Sequence, residues 1–249
     1  MSAAPTHLAA DKSHETGLSW GHLLYVAAVT MALALLVLMV FLRIPPLIVL
    51  SALFAWAAWL YRRRERPGAI VLTVLFFLLL LVNLPFIVPS LAVPASTADF
   101  LPTVVVSLAA IVGAVSGVAV LRRRGAVSDG MARRVAVGAV AVLVMATALT
   151  AVAKIAYPEV TAHSGDIALA AENFEFSEPN ITTSGGRVAV FLENKDQTLH
   201  TFTIEELGVD LQIPAGEPAR MAFDAEPGTY EFVCRPHAPG MAGTLRVSD

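Results

Sequence analysis

Five long apolar runs leave few choices for the first 155 residues of this 249-residue chain. Residues 23–42 carry only Tyr25 and Thr30 as polar interruptions, and further apolar runs cover 44–61, 69–90, 103–121 and 135–155. A hydrocarbon core about 30 Å thick takes roughly 20 apolar residues to cross as a helix. Only a helix or a closed barrel satisfies its own backbone there. The pattern therefore predicts about five transmembrane helices. Composition agrees: 15% of residues are charged, against about a quarter in soluble domains. That excludes a simple cytosolic enzyme.

Pro45 and Pro46 open the second run, and proline suits a first helical turn. The first run follows a polar leader that lacks a strongly basic start, and no small-residue cleavage site follows it. It reads as an uncleaved helix rather than a signal peptide. Arg62, Arg63, Arg64 and Arg66 lie between the second and third runs. Arg122, Arg123, Arg124, Arg133 and Arg134 lie between the fourth and fifth. The loop over 91–102 has no Lys or Arg, and the first loop has only Arg43. Positive loops stay on the cytoplasmic side. The expected topology has a cytoplasmic N-terminus and an extracytoplasmic segment after residue 155.

The expected bundle holds little chemistry. His22 is the only histidine beside a membrane run, so a bis-histidine haem inside the bundle is excluded. Asn83 is expected to make an interhelical hydrogen bond, and Lys154 to reach the outer interface. Gly113 and Gly117 form a GxxxG spacing that allows close helix approach, within the bundle or between copies.

After residue 155 the texture changes. Residues 1–155 hold 12 Lys and Arg against 5 Asp and Glu, whereas 156–249 hold 5 against 15. No polybasic surface suits nucleic acid. The expected organisation is a cytoplasmic tail over 1–22, a helical domain over 23–155, a linker over 156–165 marked by Pro158, Ser164 and Gly165, and an outer domain over 166–249. Short alternating runs broken by turn residues fill that outer domain: 167–176, 187–193, 200–204, 211–213, 219–223, 229–233 and 244–247. Seven or so strands in this space predict a small antiparallel β-sandwich.

Cys234, His237 and Met241 lie on one loop between two predicted strands, with Pro236 and Pro239 restricting it. His200 lies upstream, just after the turn at 194–196, and the two stretches can meet at one end of a sandwich. Two imidazoles, a thiolate and a distant thioether make the donor set of a blue-copper electron-transfer centre. Cys234 is the only cysteine, so a disulfide framework, a dinuclear thiolate-bridged centre and a multi-cysteine zinc or iron–sulfur site are all excluded. The outer domain has only His163, His200 and His237, too few for an additional catalytic copper.

The outer domain resembles a cupredoxin of the plastocyanin/azurin family. The likeness is carried by the turn from Asn194 to His200, the alternation Tyr230, Phe232, Cys234, and the C-x2-H-x3-M loop. It implies a Greek-key sandwich holding one type 1 copper, with His200, Cys234 and His237 as equatorial ligands and Met241 as the axial one. The loop length falls between two that are common in the family, and Thr201 stands where many relatives have Asn. The resemblance also implies electron exit through His237 across an apolar patch, here Ala238, Pro239, Gly240 and Ala242.

The expected function is therefore that of a membrane-anchored electron carrier rather than an enzyme. Its expected partner is a basic redox protein such as a c-type cytochrome, steered by the acidic outer domain. Copper homeostasis, or an accessory role in a membrane redox complex, is the competing reading.

Overall fold

The computed structural model describes residues 18–42, 44–122, 129–157 and 159–249. The leader before residue 18, Arg43, Arg123, Arg124 and Pro158 lie outside the described residues.

All five apolar runs are helical: α1 (Trp20–Leu42), α2 (Pro46–Arg63), α3 (Glu65–Ala92), α4 (Thr97–Leu121) and α5 (Asp129–Ala156). Helix α2 begins at the proline pair, with Pro45 at its N-cap. Four of the five, all but α2, are long and apolar enough to cross a membrane. Helix α2 has 18 residues and ends in Arg62 and Arg63, which lower its hydropathy. Its length still amounts to about 27 Å. It runs back beside α1: Ser51 Oγ donates to Ala32 O at 2.7 Å, and the Arg62 guanidinium lies 5.6 Å from the Tyr25 ring centre.

Leu24, Ala28, Met31, Phe54, Leu72 and Phe76 form the buried centre of the bundle. The glycine pair works inside it. A Cβ on Gly113 would collide with the Phe76 ring, and one on Gly117 with Thr73 Oγ1. The two glycines therefore let α4 lie directly against α3. Asn83 departs from expectation: its Nδ2 donates to Leu79 O at 2.8 Å, within its own helix. The carbonyl one turn back in α3 accepts the amide without a second helix.

The C-terminal region is a two-sheet sandwich. Its strands are β1 (Ile167–Glu172), β2 (Glu175–Phe176), β3 (Asn180–Ser184), β4 (Gly186–Asn194), β5 (His200–Ile204), β6 (Val209–Ile213), β7 (Pro218–Ala225), β8 (Gly228–Val233) and β9 (Ala242–Ser248). One sheet has the order β2-β1-β4-β7, the other β3-β9-β8-β5-β6. The antiparallel expectation needs correction, because β1 pairs with β4 and β3 pairs with β9 in parallel. The chain crosses between sheets before returning, so neighbouring strands are not always hairpin partners. Between the sheets Phe202 stacks on Phe232 at 4.8 Å, and Phe176 meets Phe232 edge-on at 5.2 Å.

The predicted strand over 167–176 is broken at Asn173 and Phe174, which both adopt left-handed backbone, with φ of 56° and 63°. Alternating apolar residues gave no warning of this turn, because Phe174 suits a strand by type.

Candidate metal centre

Strand β5 opens with His200, and β8 leads directly into Cys234. The two strands pair antiparallel at Thr203 and Val233, which brings His200 and Cys234 to the same end of the sandwich. Three backbone hydrogen bonds close the following loop. Cys234 N–H donates to Met241 O at 2.9 Å, His237 N–H to Cys234 O at 3.0 Å, and Met241 N–H to His237 O at 3.2 Å. A short 3₁₀ turn, Arg235–His237, carries the second imidazole back toward the thiol.

His200 Nδ1, His237 Nδ1 and Cys234 Sγ converge. The nitrogens are 3.1 Å apart, and Sγ lies 3.5 Å from His200 Nδ1 and 3.3 Å from His237 Nδ1. A point equidistant from all three sits roughly 2 Å from each, the length of a metal–nitrogen bond. His200 and Cys234 are fully buried, and His237 is half-buried. Met241 is 1% exposed and belongs to the same core cluster as Cys234. His163 lies apart from this group; its backbone N–H donates to Asp166 Oδ2 at 2.8 Å.

The surroundings select the ligating atoms. His200 Nε2 lies 2.9 Å from Asp196 Oδ2. With the Nε2 proton directed at that carboxylate, the Nδ1 lone pair faces the centre. The loop holding Asp196 is pinned by buried Asn194, whose Nδ2 donates to Thr198 O at 2.8 Å and Ile213 O at 2.9 Å. The Asn194 Oδ1 accepts the Asp196 N–H at 2.9 Å. Asp196 also accepts the backbone N–H groups of Asn173 and Phe174, at 2.8 and 3.0 Å.

Thr201 joins the two ligand segments. Its backbone N–H points at Cys234 Sγ from 3.3 Å, and its Oγ1 accepts the Arg235 N–H at 2.9 Å. Thr201 thus ties the two segments through its side chain as well as its backbone.

Burial sets the protonation of the group. It pushes the Cys234 thiol up, against the hydrogen bonds from Thr201 and His237. Burial, helped by the neighbouring His200, lowers His237 to about 4. Burial also lowers His200, against the pull of Asp196. For Asp196, burial acts upward, but the Phe174 and Asn173 N–H groups and His200 outweigh it and hold the carboxyl below its usual range. Two neutral imidazoles are what a metal requires, and a bound cation would supply the charge that makes the buried thiol a thiolate. One soft sulfur and two imidazoles in a trigonal array fit a single copper ion of type 1.

The structure brings His200, Cys234 and His237 of the expected donors together, and sequence reasoning missed three of their neighbours. Asp196 reads as an ordinary turn residue, though a carboxylate four positions before a candidate ligand is a usable signal. The Phe174 ring, 40% exposed, stands edge-on 4.9 Å from His237 and 6.0 Å from His200. Asp99, in the first turn of α4, accepts the backbone N–H of Leu199, one residue before His200. Beside it, Ser96 Oγ accepts the Ala215 N–H at 3.0 Å, and the Tyr157 hydroxyl donates to Pro218 O at 3.2 Å. Lys154 pairs with Glu217. The sandwich is thereby seated on the rim of the bundle.

Residues 138–247 match the family model described as a cupredoxin-like domain, beginning within α5. No curated protein matches the chain. Among solved structures, a reduced amicyanin is 20% identical, with a TM-score of 0.30 over 35% of this chain and 86% of that one. A chain of a heme–copper terminal oxidase dimer is 19% identical, with a TM-score of 0.30 over 48% of this chain and 99% of that one. A structure of subunit II of cytochrome c oxidase, in mixed disulfide with a thioredoxin-like protein, is 15% identical, with a TM-score of 0.30 over 38% of this chain and 88% of that one. The β-sandwich that follows the five helices is a cupredoxin-like domain.

Proposed function

We propose that the chain is a membrane-anchored electron carrier whose copper centre stands on the extracytoplasmic side. The convergence of His200 Nδ1, His237 Nδ1 and Cys234 Sγ carries this reading. His200, Cys234 and His237 would hold the metal, with Met241, buried in the same core cluster as Cys234, as the fourth donor. Copper held there supplies one-electron exchange between Cu(I) and Cu(II). The protein's own work is to keep the donors fixed through that exchange. Asn194, Asp196 and Thr201 hold the ligand segments from behind, so neither oxidation state requires a loop to move.

Sidedness follows from the arginine-rich loops between α2 and α3 and between α4 and α5, which face the cytoplasm. The N-terminus is cytoplasmic and the sandwich is outside. His237 is the route for electrons: Ala238, Pro239 and Gly240 beside it are exposed, while Ala242 is half-buried. The acidic outer region favours a basic redox protein such as a c-type cytochrome, with an association rate that falls as salt rises. Membership of a larger oxidoreductase complex is compatible with this role.

The test is the visible spectrum of the copper-loaded full chain in detergent. An intense thiolate-to-copper band is expected in the natural protein and absent in Cys234→Ser. A colourless oxidised protein with copper loading confirmed rejects the proposal.

A further inference from the structure

The outer half of the bundle contains a cavity of about 120 Å³ between α3, α4 and the end of α1. Its walls are mostly apolar, Leu80 and Phe86 among them, but Asn83, Asp99 and Ser107 also line it. Asp99 and Ser107 are eight positions apart on α4, so they share one face of the helix. Ser107 Oγ is buried and has no hydrogen-bond partner among the described residues. A buried hydroxyl without a partner is costly, and an occupant of the cavity that can accept a hydrogen bond would relieve that cost.

We propose that this cavity holds the ring head of a quinone-class lipid. An acyl chain offers Ser107 no acceptor. A quinone ring is flat, apolar on both faces and soluble in the bilayer, and its opposed oxygens match a cavity with polar groups at separate points. A ring oxygen accepts the Ser107 hydroxyl proton, and in the reduced form a ring hydroxyl donates to Asp99 or Asn83. Phe86 is 58% exposed on the bundle surface, which places the cavity mouth toward lipid. Asp99 also holds the Leu199 N–H, so an occupant lies below the segment carrying His200. The choice of a redox-active lipid rests on the electron-carrier reading; the cavity and its unpartnered hydroxyl do not.

The test uses the full chain, copper-loaded, in phosphatidylcholine nanodiscs, with radiolabelled decylubiquinone as the probe. Binding to the natural protein is expected to saturate near one per chain. Ser107→Ala removes only the hydroxyl and is expected to weaken binding up to about tenfold. Ser107→Leu fills the space and is expected to abolish binding. The thiolate-to-copper band stays unchanged in both variants. Unsaturable partitioning that is equal in all three proteins assigns the cavity to acyl chains and overturns the proposal, as does undiminished binding by Ser107→Ala. Saturable, Ser107-dependent binding in a protein without the copper band retains this site and rejects the electron-carrier reading alone.

Discussion

The Asp196 carboxylate lies 2.9 Å from Nε2 of His200, on the side of the ring away from the thiol. An anion there makes the imidazole a stronger donor and favours the more highly charged metal state. Asp196→Asn keeps the shape of the side chain and removes the charge. Copper(II) affinity is expected to fall 10–100-fold. Where Cu(I) affinity is spared, each tenfold loss raises the reduction potential by about 59 mV. A redox titration of the full chain checks this. An unchanged potential would show that the carboxylate only braces the 173–174 turn.

Thr201→Val retains the backbone N–H that points at Cys234 Sγ but removes the oxygen that accepts the Arg235 N–H. Leaving that N–H unsatisfied is expected to cost about 1–3 kcal/mol. Thermal unfolding of the copper-free protein should show a lower midpoint. The thiolate-to-copper band should survive loading, since no proposed ligand has changed.

Asp166 and Arg220 tie the start of β1 to β7 with two hydrogen bonds of 2.7 and 2.8 Å. The Arg220 guanidinium, helped by the His163 N–H, lowers the Asp166 carboxyl to about 2 from 3.8. A depressed carboxyl contributes stability that is complete above its unfolded value and lost as pH falls toward its folded one. The contribution should therefore be flat above about pH 4 and vanish between there and pH 2. Denaturant midpoints at a series of pH values, compared with Arg220→Met, measure it. The variant should lose that part of the slope.

Gly113→Leu places a side chain where the Phe76 ring already sits. The helices must part, with a cost typical of overpacking, about 1–3 kcal/mol. Helical circular dichroism on heating in detergent should show earlier loss of structure. Gly138, whose Cβ position has no neighbour within 4 Å, should accept Leu with little effect.

The helices were legible because a membrane filters sequence by one simple property, apolar length. Helix α2 was the marginal case, since two arginines close an 18-residue run. Strand β5 was readable to the residue, because the turn at 194–196 fixes where it starts. Strand β3 was not seen: Asn180, Thr182 and Thr183 alternate with one buried residue, Ile181, too weak a period to notice. His200, Cys234, His237 and Met241 were visible as chemistry, because cysteine, histidine and methionine are rare enough to stand out. Asp196 and Asp99 were not, because acidic residues are common and their meaning depends on which backbone or ring they meet across the fold. Asp99 meets a residue 100 positions away, a relationship no local pattern contains.

The seating of Ala215 and Leu199 on Ser96 and Asp99 has a kinetic consequence. A domain on a slack tether would tumble and present every face in turn. A seated one holds its exposed Phe174 and half-buried His237 at a constant height and bearing over the helices. Encounters with a membrane-bound partner then depend on lateral diffusion in two dimensions, and a soluble partner must arrive from the one direction left open.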